Sequence, residues 1–149
     1  MPGSQIRALV GDEIWNSYYK FSIERNPWDR QVSLFFYRHK RRKRSKNLTF
    51  ESYLTSPWYT TFHSVRLKNW ETYSFGDEIA VDRVLRMENI EQEFGEVCDH
   101  LGLRDVALPH VNVGPTRERT HYRDYYNAET KSVIERWYRR EIDAFGYEF

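Results

Sequence analysis

The chain of 149 residues has a single cysteine, Cys98, which excludes an internal disulfide and argues against a structural metal site. Cys98 lies on the apolar side of a predicted helix, which indicates a core residue. No apolar run approaches the ~20 residues that a membrane-spanning helix needs. Residues 1–13 lack the apolar segment of a signal peptide. The net charge of +1 gives no overall attraction to nucleic acid or membranes. We therefore expect a cytoplasmic protein that binds charged partners only through local patches.

Aromatic residues, by contrast, are abundant. They make up 17% of the chain, and hydrophobic residues make up 40%, which predicts a folded protein. The length suits one domain. Strands predicted over residues 18–24 and 79–87 alternate with helices that begin near Pro27, Asn89 and Asn127. This alternation favours an α/β fold with an at least partly parallel sheet.

Local signals place the remaining elements. Thr49 is a suitable N-cap for a short helix over residues 48–54. Asn89 is the predicted cap of the next long helix, with Gln92 in the capping-box position. Residues 57–76 have no clean period and predict a long loop with at most one short element.

The most informative segment covers residues 21–37, FSIERNPWDRQVSLFFY. A short strand ends in Arg25, and the chain turns through Asn26 and Pro27 into a helix that carries Ser33 about two turns along. Asn26 is a good N-cap and Pro27 suits the first helical position. A helix N-terminus and a guanidinium aimed at one spot are suited to holding a phosphate.

The pattern Arg-Asn-Pro-x-Asp-Arg-x-x-Ser over residues 25–33 resembles the 3'-phosphate-binding motif of sulfotransferases, which use the nucleotide sulfate donor PAPS. The resemblance continues through residues 81–103, 108–114 and 121–149. This layout is similar to the C-terminal half of Golgi-type carbohydrate sulfotransferases and their bacterial relatives. Residues 38–78 contribute little to it.

The resemblance implies a P-loop-like sulfotransferase fold, as a single sulfotransferase-like domain over residues 1–149. It implies transfer of a sulfuryl group from PAPS to a hydroxyl, with a carbohydrate as the expected acceptor and PAP as the product. In the family, the residues that match Arg25 and Ser33 hold the 3'-phosphate of PAPS and PAP. Arg119, in a loop that related enzymes place over the nucleotide, is the third candidate ligand, with a solvent-facing role as its alternative.

Neighbouring residues of the motif have structural interpretations. Asn26, Asp29 and Arg30 are expected to build the site rather than touch the ligand, because capping residues satisfy the amides at a helix start. Trp28 is interpreted as a core anchor. The closing residues 145–147 match the family's Phe-Gly-Tyr ending and are expected to pack the last helix onto the sheet.

Family enzymes carry a strand and a 5'-phosphosulfate loop, commonly Lys followed by Gly, Thr or Ser, ahead of this motif. Only 24 residues precede Arg25, and they contain no such loop. We therefore expect an N-terminally truncated sulfotransferase that is inactive alone, with its catalytic residues unknown. An absent first strand also predicts self-association through an exposed sheet edge.

The basic run over residues 38–46, RHKRRKRSK, has seven Lys or Arg residues among nine. A solvated loop is the favoured interpretation. A strip that binds an acidic polysaccharide and a nucleic-acid patch are the alternatives. Nucleic acid has the least support, because no recognition helix or base-stacking pattern accompanies the charges. The alternatives to a sulfotransferase are a non-catalytic PAP-binding, anion-binding or interaction module and, third, a basic nucleic-acid-binding protein.

Overall fold

The computed structural model describes residues 1–41, 48–57, 69–109 and 120–149, with side chains for all of these except residues 39–41. These residues divide into two compact units. The first unit comprises Met1–Arg25 and Asn69–Pro109. The second comprises the described residues of 26–57 and 120–149. The structure mixes helix with a small, partly parallel sheet, which confirms the α/β prediction in its coarse form.

The helices and strands of the described residues follow in chain order. They are α1 (Gly3–Val10), α2 (Asp12–Ser17), β1 (Phe21–Glu24), α3 (Pro27–Arg41), α4 (Phe50–Thr55), α5 (Trp70–Tyr73), β2 (Ser74–Phe75), β3 (Glu78–Ile79), β4 (Arg83–Arg86), α6 (Ile90–His100), α7 (Ala128–Trp137) and α8 (Arg139–Phe145). Short 3-10 turns, Met87–Asn89 and Tyr122–Tyr125, precede α6 and α7.

The sheet pairs belong to the first unit. β1 and β4 are parallel, with Glu24 opposite Arg86, and β2 and β3 form an antiparallel pair. The strand predicted over residues 79–87 is therefore two strands. They are separated because they pair with different partners, β3 with β2 and β4 with β1. Between them, the Asp82 carboxylate accepts hydrogen bonds from the backbone N–H and the Nζ of Lys20, at 2.7 and 2.8 Å.

The cap predicted at Thr49 is confirmed. Its Oγ1 accepts from the backbone N–H of Ser52 at 3.1 Å, and the Ser52 Oγ accepts in return from the Thr49 N–H at 3.1 Å. The capping box predicted at Asn89 is wrong. Asn89 ends a 3-10 turn at φ −120° and ψ 24°, outside the extended conformation of a capping residue, and its side chain makes no cap hydrogen bond. Gln92 donates to Glu96 instead, at 3.1 Å.

The helix predicted from Asn127 is two helices, α7 and α8, which are separated at Tyr138 with φ −117°. The Asn127 Oδ1 accepts from the Thr130 N–H at 2.9 Å, and the Thr130 Oγ1 accepts from the Asn127 N–H at 3.0 Å. This capping box starts α7. Gly146, in the left-handed conformation at φ 62°, ends α8.

An aromatic-rich core holds the second unit together. Trp28 is 2% exposed, which confirms its interpretation as a core anchor. The other buried members of the core are Val32, Phe35, Phe50, Tyr53, Leu54, Ile134, Tyr138 and Tyr147. Tyr147, at the end of the Phe-Gly-Tyr motif, therefore packs into a helical core that contains no residue of a described strand. Because the sheet belongs to the first unit, the expectation that this motif packs onto it stays a prediction.

The first unit has its own buried residues. Cys98 is buried beside Val97 on α6, as predicted. Among the described residues, no helix has the length and apolar character needed to cross a membrane. Residues 42–46 of the basic run lie outside the described residues.

Candidate functional site

Arg25 is the last residue of the first unit and follows β1 directly. Because β1 and β4 are parallel, Arg25 lies at the carboxyl end of the pair, where sheets of this class bind ligands. The residue is half-buried. Its backbone N–H donates to the Oε1 of Glu24 at 2.9 Å. The position of Arg25 thus agrees with the predicted strand-end location.

Glu24 is the residue that sequence reasoning missed. Its side chain is fully buried, with 0% exposure, and its Oε2 accepts from the Tyr73 hydroxyl at 2.8 Å. Tyr73, on α5, is also 0% exposed. Burying a carboxylate costs free energy unless hydrogen bonds compensate for it. The available signal was a lone acidic residue in a short parallel strand, where apolar residues are the rule.

The start of α3 belongs to the second unit and is built by Asn26. Its Oδ1 accepts from the backbone N–H groups of Trp28 and Asp29, at 3.0 and 3.3 Å. Its Nδ2 donates to the backbone oxygen of Glu148 at 3.1 Å. The structure agrees with the building role predicted for Asn26. Because the Trp28 and Asp29 amides already donate to Asn26, we expect a phosphate at this helix start to be bound by side chains and not by these two amides.

Ser33 lies on α3, half-buried, in the second unit. Its hydroxyl makes no hydrogen bond with any residue that the structure describes. The structure therefore does not show the alternative interpretation, in which the Ser33 hydroxyl bonds to the backbone of its own helix. At helical spacing Ser33 shares a face with Asn26 and Arg30. Because Arg25 and Ser33 belong to different units, the binding of one phosphate by both side chains stays a prediction.

Arg30 lies on the same face of α3 and packs against a tyrosine. Its guanidinium carbon is 4.6 Å from the centre of the Tyr138 ring, in cation–π geometry. The neighbouring Gln31 is buried and donates its Nε2 to the Tyr138 hydroxyl. Burial raises the pKa of Tyr138 well above its ordinary value, although the Arg30 charge works in the opposite direction. These contacts fit the building role predicted for Arg30.

Arg119 lies outside the residues that the structure describes, so its predicted contact with phosphate remains a prediction. The described residues hold no group of three or more His, Cys, Asp or Glu side chains arranged to bind a metal ion.

Comparison with known proteins gives a family but no activity. No protein-family model matches the chain. No solved structure matches it. An "Uncharacterized protein" of Archaeoglobus fulgidus is 30% identical over 112 residues, which cover 75% of this chain and 91% of that protein. The chain belongs to the family of this archaeal protein. Any assignment of function to this member of the family therefore depends on its own residues.

A cavity of about 390 Å³ lies in the first unit of this family member. Its lining residues are Pro2, Ser4, Arg7, Glu71, Ser74, Phe75 and Gly76. The Arg7 Nε donates to Asp12 at 2.7 Å, and its guanidinium lies 5.8 Å from the centre of the Phe75 ring. Neither Arg25 nor Ser33 lines this cavity, so it is separate from the predicted phosphate ligands.

Proposed function

We propose that the chain holds the 3'-phosphate of PAPS and PAP with Arg25 and Ser33, as the donor-binding part of a PAPS-dependent sulfotransferase with a P-loop-like fold. The observation that carries the proposal is the Ser33 hydroxyl. It is half-buried and has no hydrogen-bond partner among the described residues. It lies on a helix that starts two residues after Arg25, at the end of a parallel strand.

The two side chains suit a phosphate for different reasons. The Arg25 guanidinium is always charged and offers a planar pair of donors that match two phosphate oxygens. The Ser33 hydroxyl adds a third, rotatable donor. Asn26 holds the first turn of α3 through its contacts with Trp28 and Asp29. Ser33 is thereby presented on a helix whose start is fixed.

In the proposed reaction, an oxygen of the acceptor hydroxyl forms a bond to the sulfur of PAPS. The bond between that sulfur and the bridging oxygen breaks, PAP leaves with the electron pair, and the hydroxyl proton passes to a base. A carbohydrate hydroxyl is the proposed acceptor. Arg25 and Ser33 contact the distant 3'-phosphate, so they bind donor and transition state equally. Their loss is expected to raise KM for PAPS with little change in kcat.

Calorimetric titration with PAP tests the proposal. Arg25→Ala should weaken binding about 10- to 100-fold, since a hydrogen bond to a charged group contributes about 1.5–3 kcal/mol. Ser33→Ala should weaken it about 3- to 10-fold, because it removes a single neutral donor. Arg104→Ala and Ser132→Ala, both exposed, are the matched controls and should bind like the unaltered chain. Unchanged affinity in both site variants would contradict the proposal.

The second candidate is a module that binds PAP and transfers nothing. It is favoured because Arg25 and Ser33 are both proposed to contact the 3'-phosphate, and neither is proposed to contact the sulfuryl group. Incubation with PAPS and a carbohydrate acceptor separates the two candidates, because sulfate transfer by the chain would exclude the binding module. The third candidate, a nucleic-acid-binding protein, predicts duplex DNA binding that weakens steeply with salt and needs residues 38–46.

A further inference from the structure

We propose that Glu24 and Tyr73 form a positioning pair, which holds Arg25 for the 3'-phosphate and so sets the preference for nucleotides that carry this phosphate. The inference rests on the proposed function and extends it to residues that do not touch the ligand. Both members and the backbone of Arg25 belong to the first unit.

The two oxygens of the Glu24 carboxylate accept from different donors. The Glu24 Oε2 accepts from the Tyr73 hydroxyl at 2.8 Å, and its Oε1 accepts from the Arg25 backbone N–H at 2.9 Å. Glu24 and Tyr73 are both 0% exposed, so water does not compete for either bond. The carboxylate therefore ties α5 to the first residue after β1. The direction in which the Arg25 side chain leaves the main chain depends on that amide.

Each end of this link is itself anchored. Glu24 lies opposite Arg86 in the parallel pair of β1 and β4. The backbone oxygen of Tyr73 accepts from the Ala80 N–H at 2.8 Å. A carboxylate held between two fixed elements transmits that rigidity to Arg25.

A carboxylate is the group that this arrangement requires. Both donors, a hydroxyl and an amide N–H, need an acceptor, and a carboxylate offers one oxygen to each. A glutamine of the same shape has one acceptor oxygen and one NH₂ group, which would face one of the two donors. An apolar side chain would suit a buried parallel strand better if packing were the only requirement.

Binding of PAP is compared with binding of AMP, which lacks the 3'-phosphate, in the unaltered chain and in two variants. Glu24→Gln should weaken PAP binding about tenfold and Tyr73→Phe about threefold, because each removes a hydrogen bond that orients Arg25. AMP binding should change less than about twofold, since AMP presents nothing to Arg25 at this position. The ratio of the two affinities is the readout, because a loss of overall structure would weaken both nucleotides together.

Exposed residues of the same types serve as controls. Glu78→Gln on β3 and Tyr18→Phe before β1 should both leave the affinity ratio unchanged. Tyr73→Phe keeps the buried ring, so it tests the inference even where Glu24→Gln fails to fold. An unchanged ratio in a folded variant, or equal losses for PAP and AMP, would overturn the positioning role. If Arg25→Ala weakens PAP binding while both positioning variants leave the ratio unchanged, only this inference fails. If Arg25→Ala also has no effect, the proposed function fails.

Discussion

Replacing Asn26 by alanine should destabilise the chain by about 2–3 kcal/mol. The side chain accepts from the N–H groups of Trp28 and Asp29, which are the unpaired amides of the start of α3. Loss of such a cap costs about 1–2 kcal/mol. The Asn26 Nδ2 also donates to the Glu148 oxygen, and loss of this bond adds about 1 kcal/mol. Both losses come from the same buried side chain, so they act together.

An aspartate at the same position separates the two contributions. Asn26→Asp keeps the acceptor that caps α3 and gains a favourable charge near the helix start. It removes the donor to Glu148, leaving two oxygens facing each other. We expect a loss of about 1–2 kcal/mol, between the unaltered chain and the alanine variant. Asn16→Ala, at an exposed position of α2, is the control and should change stability by less than about 0.5 kcal/mol.

Urea unfolding followed by tryptophan fluorescence and by circular dichroism gives the free energy of unfolding. The two signals must coincide before a single value is assigned, because the chain has two compact units. A loss below about 0.5 kcal/mol for Asn26→Ala would refute the argument. The cap would then not be what holds the start of α3, and the fixed presentation of Ser33 would lose its support.

The remaining predictions concern the second capping box and acid stability. Asn127→Ala should lower the free energy of unfolding by about 1–2 kcal/mol, because it breaks the bonds with Thr130, whereas Asn89→Ala should cost less than about 0.5 kcal/mol. Equal losses at the two asparagines would contradict the cap assignments. The hydrogen bond from the Lys20 side chain lowers the pKa of Asp82 below its ordinary value of 3.8. Its stabilising contribution is present above pH 3.8 and is lost as the pH falls through the lowered value, so Asp82→Asn should flatten the fall of the urea midpoint below pH 4. Parallel curves for the variant and the unaltered chain in that range would refute this assignment.

Much of the fold follows from signals that are complete within a few residues. The Asn26-Pro27 start of α3 and the caps at Thr49 and Asn127 each depend on a side chain and on amides two or three positions away. The burial of Cys98 follows from the apolar face of a single helix. Such interactions form wherever the segment lies in the fold, so the sequence is sufficient to predict them.

Predictions were wrong where another interaction, near or far in the sequence, competed with the structure that the local residues favoured. Asn89 has the sequence of a capping residue, but a 3-10 turn holds its backbone outside the extended conformation that capping requires. The strand predicted over residues 79–87 is two strands because its ends pair with different partners, Ile79 with Ser74 and residues 83–86 with β1.

The same distinction between local and distant interactions applies to the residues of the candidate site. Arg25, Asn26 and Ser33 were recognisable from the sequence because strand, turn and helix lie within one short segment. Glu24 was not, since its side chain bonds to the Tyr73 hydroxyl, which lies 49 positions along the chain. Only folding can bring these two groups together and exclude water from them. The start of α3 is thus determined by the local sequence alone. The burial of the Glu24 carboxylate beside Arg25 is determined by the packing of distant segments.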